Sequence, residues 1–175
     1  MKNKIIGIVV AVVMVIVSAI RIVYINTNAE EYKVYTRTYN KGETFNYKDY
    51  DIKVNSIDIL NRQEFIEQYG DCNLEYDDIY FVVVSIDYSF VGSEQSKPLE
   101  VSNFVLTSGV WQNGAELFTM MKINGKNSDK QEVQDYKLVF YIDKRAYSKS
   151  GWKKIYSQKY QLGIQQYPYF TVVNL

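Results

Sequence analysis

The chain has 175 residues, 47% of them hydrophobic and 23% charged, with 20 basic against 20 acidic side chains, a globular composition long enough for one domain and a short accessory segment. It contains no histidine, which removes the usual general base near neutral pH, the commonest metal ligand and every histidine-based triad. One cysteine, Cys72, excludes an internal disulfide and a cysteine-rich zinc site, and no cation neighbours it to make a reactive thiolate.

Lys2 and Lys4 precede an uncharged apolar run from Ile5 to Ile20, followed by Arg21 and a second run, Ile22 to Ile25. As a helix, Ile5 to Ile25 would measure about 31 Å at about 1.5 Å per residue, enough to cross a hydrocarbon core of about 30 Å with Arg21 snorkelling to the outer interface. Residues 1–25 therefore read as a single-pass membrane anchor. Lys2 and Lys4 place its N-terminus in the cytoplasm and the following domain outside the cell membrane. The alternative is a secretory signal cleaved after Val17-Ser18-Ala19, leaving a secreted domain; the apolar run is longer than an ordinary signal core of roughly 7–15 residues, which favours the anchor. No cysteine follows the run at which a lipid could be attached.

Residues 26–31 are a polar linker, and the outer domain is expected over residues 32–175. Its 17 Tyr and 8 Phe, against 2 Pro and 9 Gly, favour strands. Tyr32 to Tyr39 alternates as a first, edge strand, and Lys41-Gly42 turns the chain. Thr44 to Tyr47 and Asp49 to Leu60 are predicted strands. The apolar parity changes between Val54 and Ile57, which predicts a β-bulge near Asn55-Ser56. A helix follows: Asn61 as N-cap with Glu64 forms a capping box, Leu60 can staple to Phe65, and Gly70 ends about two turns laid across one end of a sandwich. Asp71 to Asp78 is an acidic loop.

Tyr80 to Phe90 is the organising strand. Its even positions (Tyr80, Val82, Val84, Ile86, Tyr88, Phe90) are all apolar or aromatic, while the odd ones turn polar from Ser85 onward. Its first half should be buried on both faces and its second half on one. After a polar loop, Gly92 to Pro98, a strand is expected from Leu99 to Thr107, then Trp111 before an Asn113-Gly114 turn. The apolar run Leu117 to Ile123 closes on Asn124-Gly125, a second turn signal of the same kind. Gly125 to Val133 is a long polar loop. Tyr136, Leu138, Phe140 and Ile142 mark a second core strand, and charged Asp143 to Gly151 suits a helical turn, with Trp152 as an apolar anchor. Tyr160 to Ile164 and Phe170 to Leu175 are the last strands, separated by Pro168. About eight short strands without long crossover helices predict an all-β, antiparallel β-sandwich with one short inserted helix, behind an N-terminal transmembrane helix.

Lys41-Gly42-Glu43-Thr44-Phe45 ahead of Asp51 to Val54, and the aspartate-led strand Asp78 to Val84, resemble the exported immunoglobulin-like domains of Gram-positive bacteria, uncharacterised proteins built on a telokin-like sandwich. The resemblance covers roughly Tyr39 to Leu175. It implies an immunoglobulin-like fold and brings no catalytic residues. The chain departs from it in its anchor, where many relatives carry a lipid-attached cysteine, and in the inserted helix at Asn61 to Gly70.

Two site readings follow from charge. Asp71, Glu75, Asp77 and Asp78 offer hard oxygen ligands for calcium, without the spaced ladder and central glycine of a calcium loop; a solvated acidic loop is the competing reading. From Asp58 to Asp78 there are seven acids and one base, whereas Lys144, Arg145, Lys149, Lys153, Lys154 and Lys159 lie in a C-terminal stretch with no acidic side chain. That cationic pole suits a protein partner or an anionic surface polymer, the competing reading being solvated strand faces that happen to cluster. Nucleic acid is not expected, since apart from Lys2, Lys4 and Arg21 the chain has 17 bases against 20 acids. Tyrosines at Tyr35, Tyr39, Tyr141, Tyr156, Tyr167 and Tyr169 serve cross-strand packing first and an aromatic binding patch second. No cofactor is implied. The expected function is a non-catalytic, membrane-anchored extracytoplasmic binding module, with a small-ligand or calcium sensor as the alternative and an enzyme third.

Overall fold

The apolar N-terminal run, free of proline, forms one helix, α1 (Lys2–Thr27). The structure, a computed structural model, describes residues 2–27, 33–71, 78–93, 98–109, 111–125 and 130–175, and the chain divides into two compact units, Met1–Tyr35 and Thr36–Leu175. In the first unit, Val10–Thr27 has a mean hydropathy of 2.1 and is exposed throughout, so α1 is long and apolar enough to cross a membrane.

Nine strands follow among the described residues: β1 (Tyr35–Asn40), β2 (Thr44–Tyr47), β3 (Tyr50–Asn61), β4 (Ile79–Phe90), β5 (Phe104–Ser108), β6 (Trp111–Gly114), β7 (Glu132–Asp143), β8 (Gln161–Gln166) and β9 (Tyr169–Asn174). They make two sheets, ordered β2-β3-β4-β7 and β1-β9-β8-β5-β6. The four-stranded sheet is antiparallel throughout, as are β6-β5-β8-β9. β1 departs from the expected antiparallel pattern. Arg37 lies over Tyr169 at one end, and the Lys41 N–H donates to the Asn174 carbonyl at 3.0 Å near the other, so β1 and β9 run the same way.

β4 sits between β3 and β7, and its burial follows the predicted alternation. Val82, Val84, Ile86 and Tyr88 face inward beside Phe140, Leu138 and Tyr136 of β7; Phe81, Val83 and Ser85 on the outward face are buried too, while Asp87 and Ser89 are half-exposed. The opposing sheet meets this core through Phe104, Leu106, Leu162 and Ile164, with Tyr47 edge-on to Phe104 at 5.5 Å. The register between β3 and β4 shifts between Val54 and Ser56, the bulge expected there.

Among the described residues three α-helices decorate this frame. α2 (Arg62–Tyr69) has the predicted capping box: the Asn61 side chain accepts from the Glu64 N–H at 3.0 Å and the Glu64 carboxylate accepts from the Asn61 N–H at 2.7 Å. Gly70 ends it at φ +84°, where an L side chain would be strained. α2 does not cross one end of the sandwich. Phe65 stacks on Phe81 at 3.8 Å, which places the helix over the outer face of the four-stranded sheet.

α3 (Leu117–Asn124) occupies the stretch whose Asn-Gly ending carried a hairpin signal. Leu, Met and Lys are strong helix formers, and a glycine at positive φ (Gly125, +54°) closes a helix as readily as a tight turn. Asn113-Gly114, likewise, is not a turn but the end of β6; the chain bends earlier, at Gly109 with φ +60°. Strand β5 begins at Phe104 rather than Leu99, because Val101–Asn103 forms a 3-10 turn. α3 closes the free edge of β7. The Asn124 amide donates to the Lys137 carbonyl at 2.9 Å and accepts from the Lys137 N–H at 2.8 Å, the Glu116 N–H donates to the Val139 carbonyl at 2.7 Å, and Asn113 donates to the Tyr141 carbonyl at 2.7 Å. These bonds satisfy backbone groups that a bare edge strand would offer to another chain.

Candidate functional site

The connection from β7 to β8 carries the whole cationic stretch, and local hydrogen bonds give it shape. The Asp143 carboxylate accepts from the Arg145 N–H at 2.7 Å and starts a 3-10 turn, Lys144–Ala146. Ser148 then caps α4 (Lys149–Trp152) by accepting from the Gly151 N–H at 3.1 Å, so the helical turn expected here is present. A second 3-10 turn, Ile155–Ser157, is held by the Tyr160 hydroxyl, which donates to the Ile155 carbonyl at 2.9 Å. Burial raises the pKa of Tyr160, and the neighbouring Tyr147 adds to the shift.

Aromatic rings floor this loop. Trp152 and Tyr156 lie 4.9 and 5.1 Å from Tyr80 at the start of β4, and Tyr147 contacts both Trp111 and Trp152. The Tyr147 hydroxyl is buried with no hydrogen-bond partner among the described residues, and burial raises its pKa. Tyr156 keeps 56% of its surface exposed, so the floor reaches solvent.

The six basic residues divide. Lys144 pairs with Asp78 at 2.8 Å, and Arg145 forms a forked pair with Asp143 that holds this carboxyl below the usual aspartate range. Both pairs face solvent, where such contacts contribute little stability. Lys149, Lys153, Lys154 and Lys159 are exposed and make no ion pair with any described residue.

The acidic candidates are not assembled into a site among the described residues. Asp78 is engaged by Lys144, and its carbonyl also accepts from the Lys144 N–H at 3.1 Å. The Asp71 carbonyl accepts from the Lys122 ammonium. Glu75 and Asp77, with Cys72, lie outside the described residues. No group of three acidic or cysteine side chains able to hold a metal occurs among the described residues. Acidic and basic poles, separate in sequence, therefore meet at Asp78 and Lys144.

A family model described as "Domain of unknown function (DUF5028)" matches residues 29–170. The chain belongs to this family. Two solved structures resemble the DUF5028 chain: a conserved hypothetical protein from Bacillus anthracis, 14% identical over 71% of this chain and 87% of its own with a TM-score of 0.42, and an uncharacterised β-sandwich protein from Clostridium difficile 630, 9% identical over 82% and 97% with a TM-score of 0.42. No curated protein matches at a significant level.

The DUF5028 domain has a second surface feature that sequence reasoning missed. On the outer face of the four-stranded sheet, Asp51, Lys53, Asp87, Ser89, Glu132 and Gln134 line an open depression of about 260 Å³. Same-parity polar residues on two strands were the available signal, but only the β3–β4–β7 register brings them side by side. At its border β7 bulges. Gln134 and Asp135 intervene where the register shifts opposite Asp87, and Asp135 adopts φ +61°. The Asp87 carboxylate accepts from the Asp135 N–H at 2.8 Å, while the Asp135 carboxylate accepts from Ser85 and Lys137, each at 2.5 Å. Lys137 and Ser85 together hold the Asp135 carboxyl below the usual aspartate range.

Proposed function

We propose that this protein is a membrane-anchored extracytoplasmic binding module whose β7–β8 loop takes an anionic partner, either an acidic face of another protein or an anionic polymer of the bacterial surface. The observation that carries the reading is the set of four exposed lysines that make no ion pair among the described residues, Lys149, Lys153, Lys154 and Lys159, on a loop held by its own hydrogen bonds and floored by the partly exposed rings of Tyr80, Trp152 and Tyr156. Each cation near an anionic surface contributes about 1 kcal/mol, and aromatic faces add contact area at low entropic cost. Helix α1 supports the anchoring, with the N-terminus inside and the domain outside; a cleaved signal is the alternative. An immunoglobulin-like classification is supported by the order β9-β8-β5, the G-F-C arrangement of that fold, and by β3-β4-β7 in the other sheet, which matches its A-B-E order with α2 inserted between the first two strands. In this reading the protein has no catalytic role.

The test is in-cell crosslinking of the tagged full-length protein, followed by detergent extraction and mass spectrometry, with a K149A/K153A/K154A/K159A variant beside it. An abundant crosslinked species lost in the variant, or retention on an anionic wall-polymer column that salt and the same substitutions abolish, supports the module. Equal capture and retention by both proteins removes the loop from the function. The depression at Asp51 and Asp87 favours the small-ligand sensor as a second reading, but about 260 Å³ of open space falls below the roughly 300–1,000 Å³ of enclosed ligand sites.

A further inference from the structure

α3 exposes what a soluble helix ordinarily hides. Thr119, Met120 and Asn124 are buried, while Leu117, Phe118 and Met121 are 45%, 84% and 64% exposed. Leu117 and Met121 lie one helical turn apart with Phe118 beside them, which makes one continuous apolar face. The helix contains no acidic residue. Its charged member, Lys122, donates to the Asp71 carbonyl and makes no ion pair with a described carboxylate.

We infer that α3 is an interfacial foot that inserts Leu117, Phe118 and Met121 into the boundary of an anionic lipid bilayer, with Lys122 at the level of the headgroups. The inference rests on the proposed anchoring. Three considerations select lipid over a protein. Three side chains offer apolar surface on the order of 300 Å², well short of the roughly 800 Å² per partner that a stable protein interface buries. A helix with bulky apolar residues on one face and Lys122 at its edge suits acyl chains below and headgroups above. Finally, residues 28–34 separate α1 from β1 and span at most about 25 Å fully extended. A domain tethered that closely meets its own bilayer at an effective concentration that makes even a weak contact well populated.

The experiment uses the full-length protein with Cys72→Ser, reconstituted into phosphatidylglycerol–phosphatidylcholine vesicles, with a nitroxide label at Met121→Cys, at Phe118→Cys or, as control, at Lys53→Cys in the polar depression. Flotation reports the anchoring; collision with a water-soluble nickel relaxant and with oxygen reports depth. The expected result is flotation, with nickel accessibility at 118 and 121 about threefold or more below that at 53 and oxygen accessibility raised. Floating protein whose labels at 118 and 121 are as open to nickel as at 53 overturns the foot and leaves the anchoring standing. Protein that does not float overturns the anchoring and the foot with it. Dipolar broadening between labels at 121 would show a second copy on this face and would also overturn the lipid assignment.

Discussion

The outer face of the four-stranded sheet is two surfaces built by the same strands. Towards the start of β4 it is dry: Phe81 and Val83 are fully buried, with Phe65 of α2 stacked on Phe81. Towards the end of β4 it is wet, with Asp87, Ser89, Asp51 and Lys53 around an open depression. Parity is the same in both halves. The difference teaches that alternation tells which residues share a face, whereas the length of the polar or apolar run on that face tells where a covering element must lie.

The sharpest way to break this contrast is Phe65→Ala. Loss of a fully buried ring stacked at 3.8 Å should cost about 3–5 kcal/mol in urea unfolding of the detergent-solubilised full chain. A loss under about 1 kcal/mol would mean that α2 is not what keeps this half dry. Next comes Asn124→Ala, which strips the partners from both backbone groups of Lys137. About 1–3 kcal/mol should go with them, and amide exchange at Lys137 should accelerate; unchanged exchange would show the β7 edge to be protected by other means.

Asp135 sits where the two halves meet, and pH probes it. Its carboxyl is held below the usual aspartate range in the folded protein by Lys137 and Ser85, so the folded state favours the ionised form. Its contribution is therefore fully present above the unfolded value of about 3.9 and is lost as pH falls through the lower folded value. The side chain is 65% exposed, which limits the effect to about 0.5–1 kcal/mol after solvent screening. Between pH 6 and pH 3 the wild-type urea midpoint should fall further than that of Asp135→Asn, and parallel curves would refute the assignment. The smallest effect belongs to the wet half. Lys53→Ala should change stability by no more than about 0.5 kcal/mol, since its side chain is exposed and makes no ion pair among the described residues.

Much of the frame is legible one residue at a time. The double burial at the start of β4, the bulge at Val54–Ser56 and the cap from Asn61 to Glu64 each follow from neighbours within a few positions in the chain. Where reading failed, the local signal was degenerate. A glycine at positive φ after Asn124 suits a hairpin or a helix end, and the helix wins because the Asn124 side chain finds both backbone groups of Lys137, thirteen residues on. The candidate loop was legible as a charge count, but not its division. Lys144 is drawn off by Asp78, sixty-six positions away, because β4 and β7 bring Ile79 opposite Asp143.

By itself, then, the sequence determined an apolar helix of membrane-crossing length, a β-rich domain centred on the strand from Ile79 to Phe90, a capped helix after β3 and a cationic stretch after β7. These depend on periodicity, capping chemistry and composition, which act over one or two turns of chain. Tertiary structure alone decided that β1 runs parallel to β9, that α3 seals the β7 edge while exposing Phe118, that Lys144 and not its neighbours pairs with Asp78, and that Asp51, Lys53 and Asp87 share a depression. Each of these depends on strand register and on side chains distant in sequence competing for the same partner, and a pattern read along one strand carries no information about its neighbour.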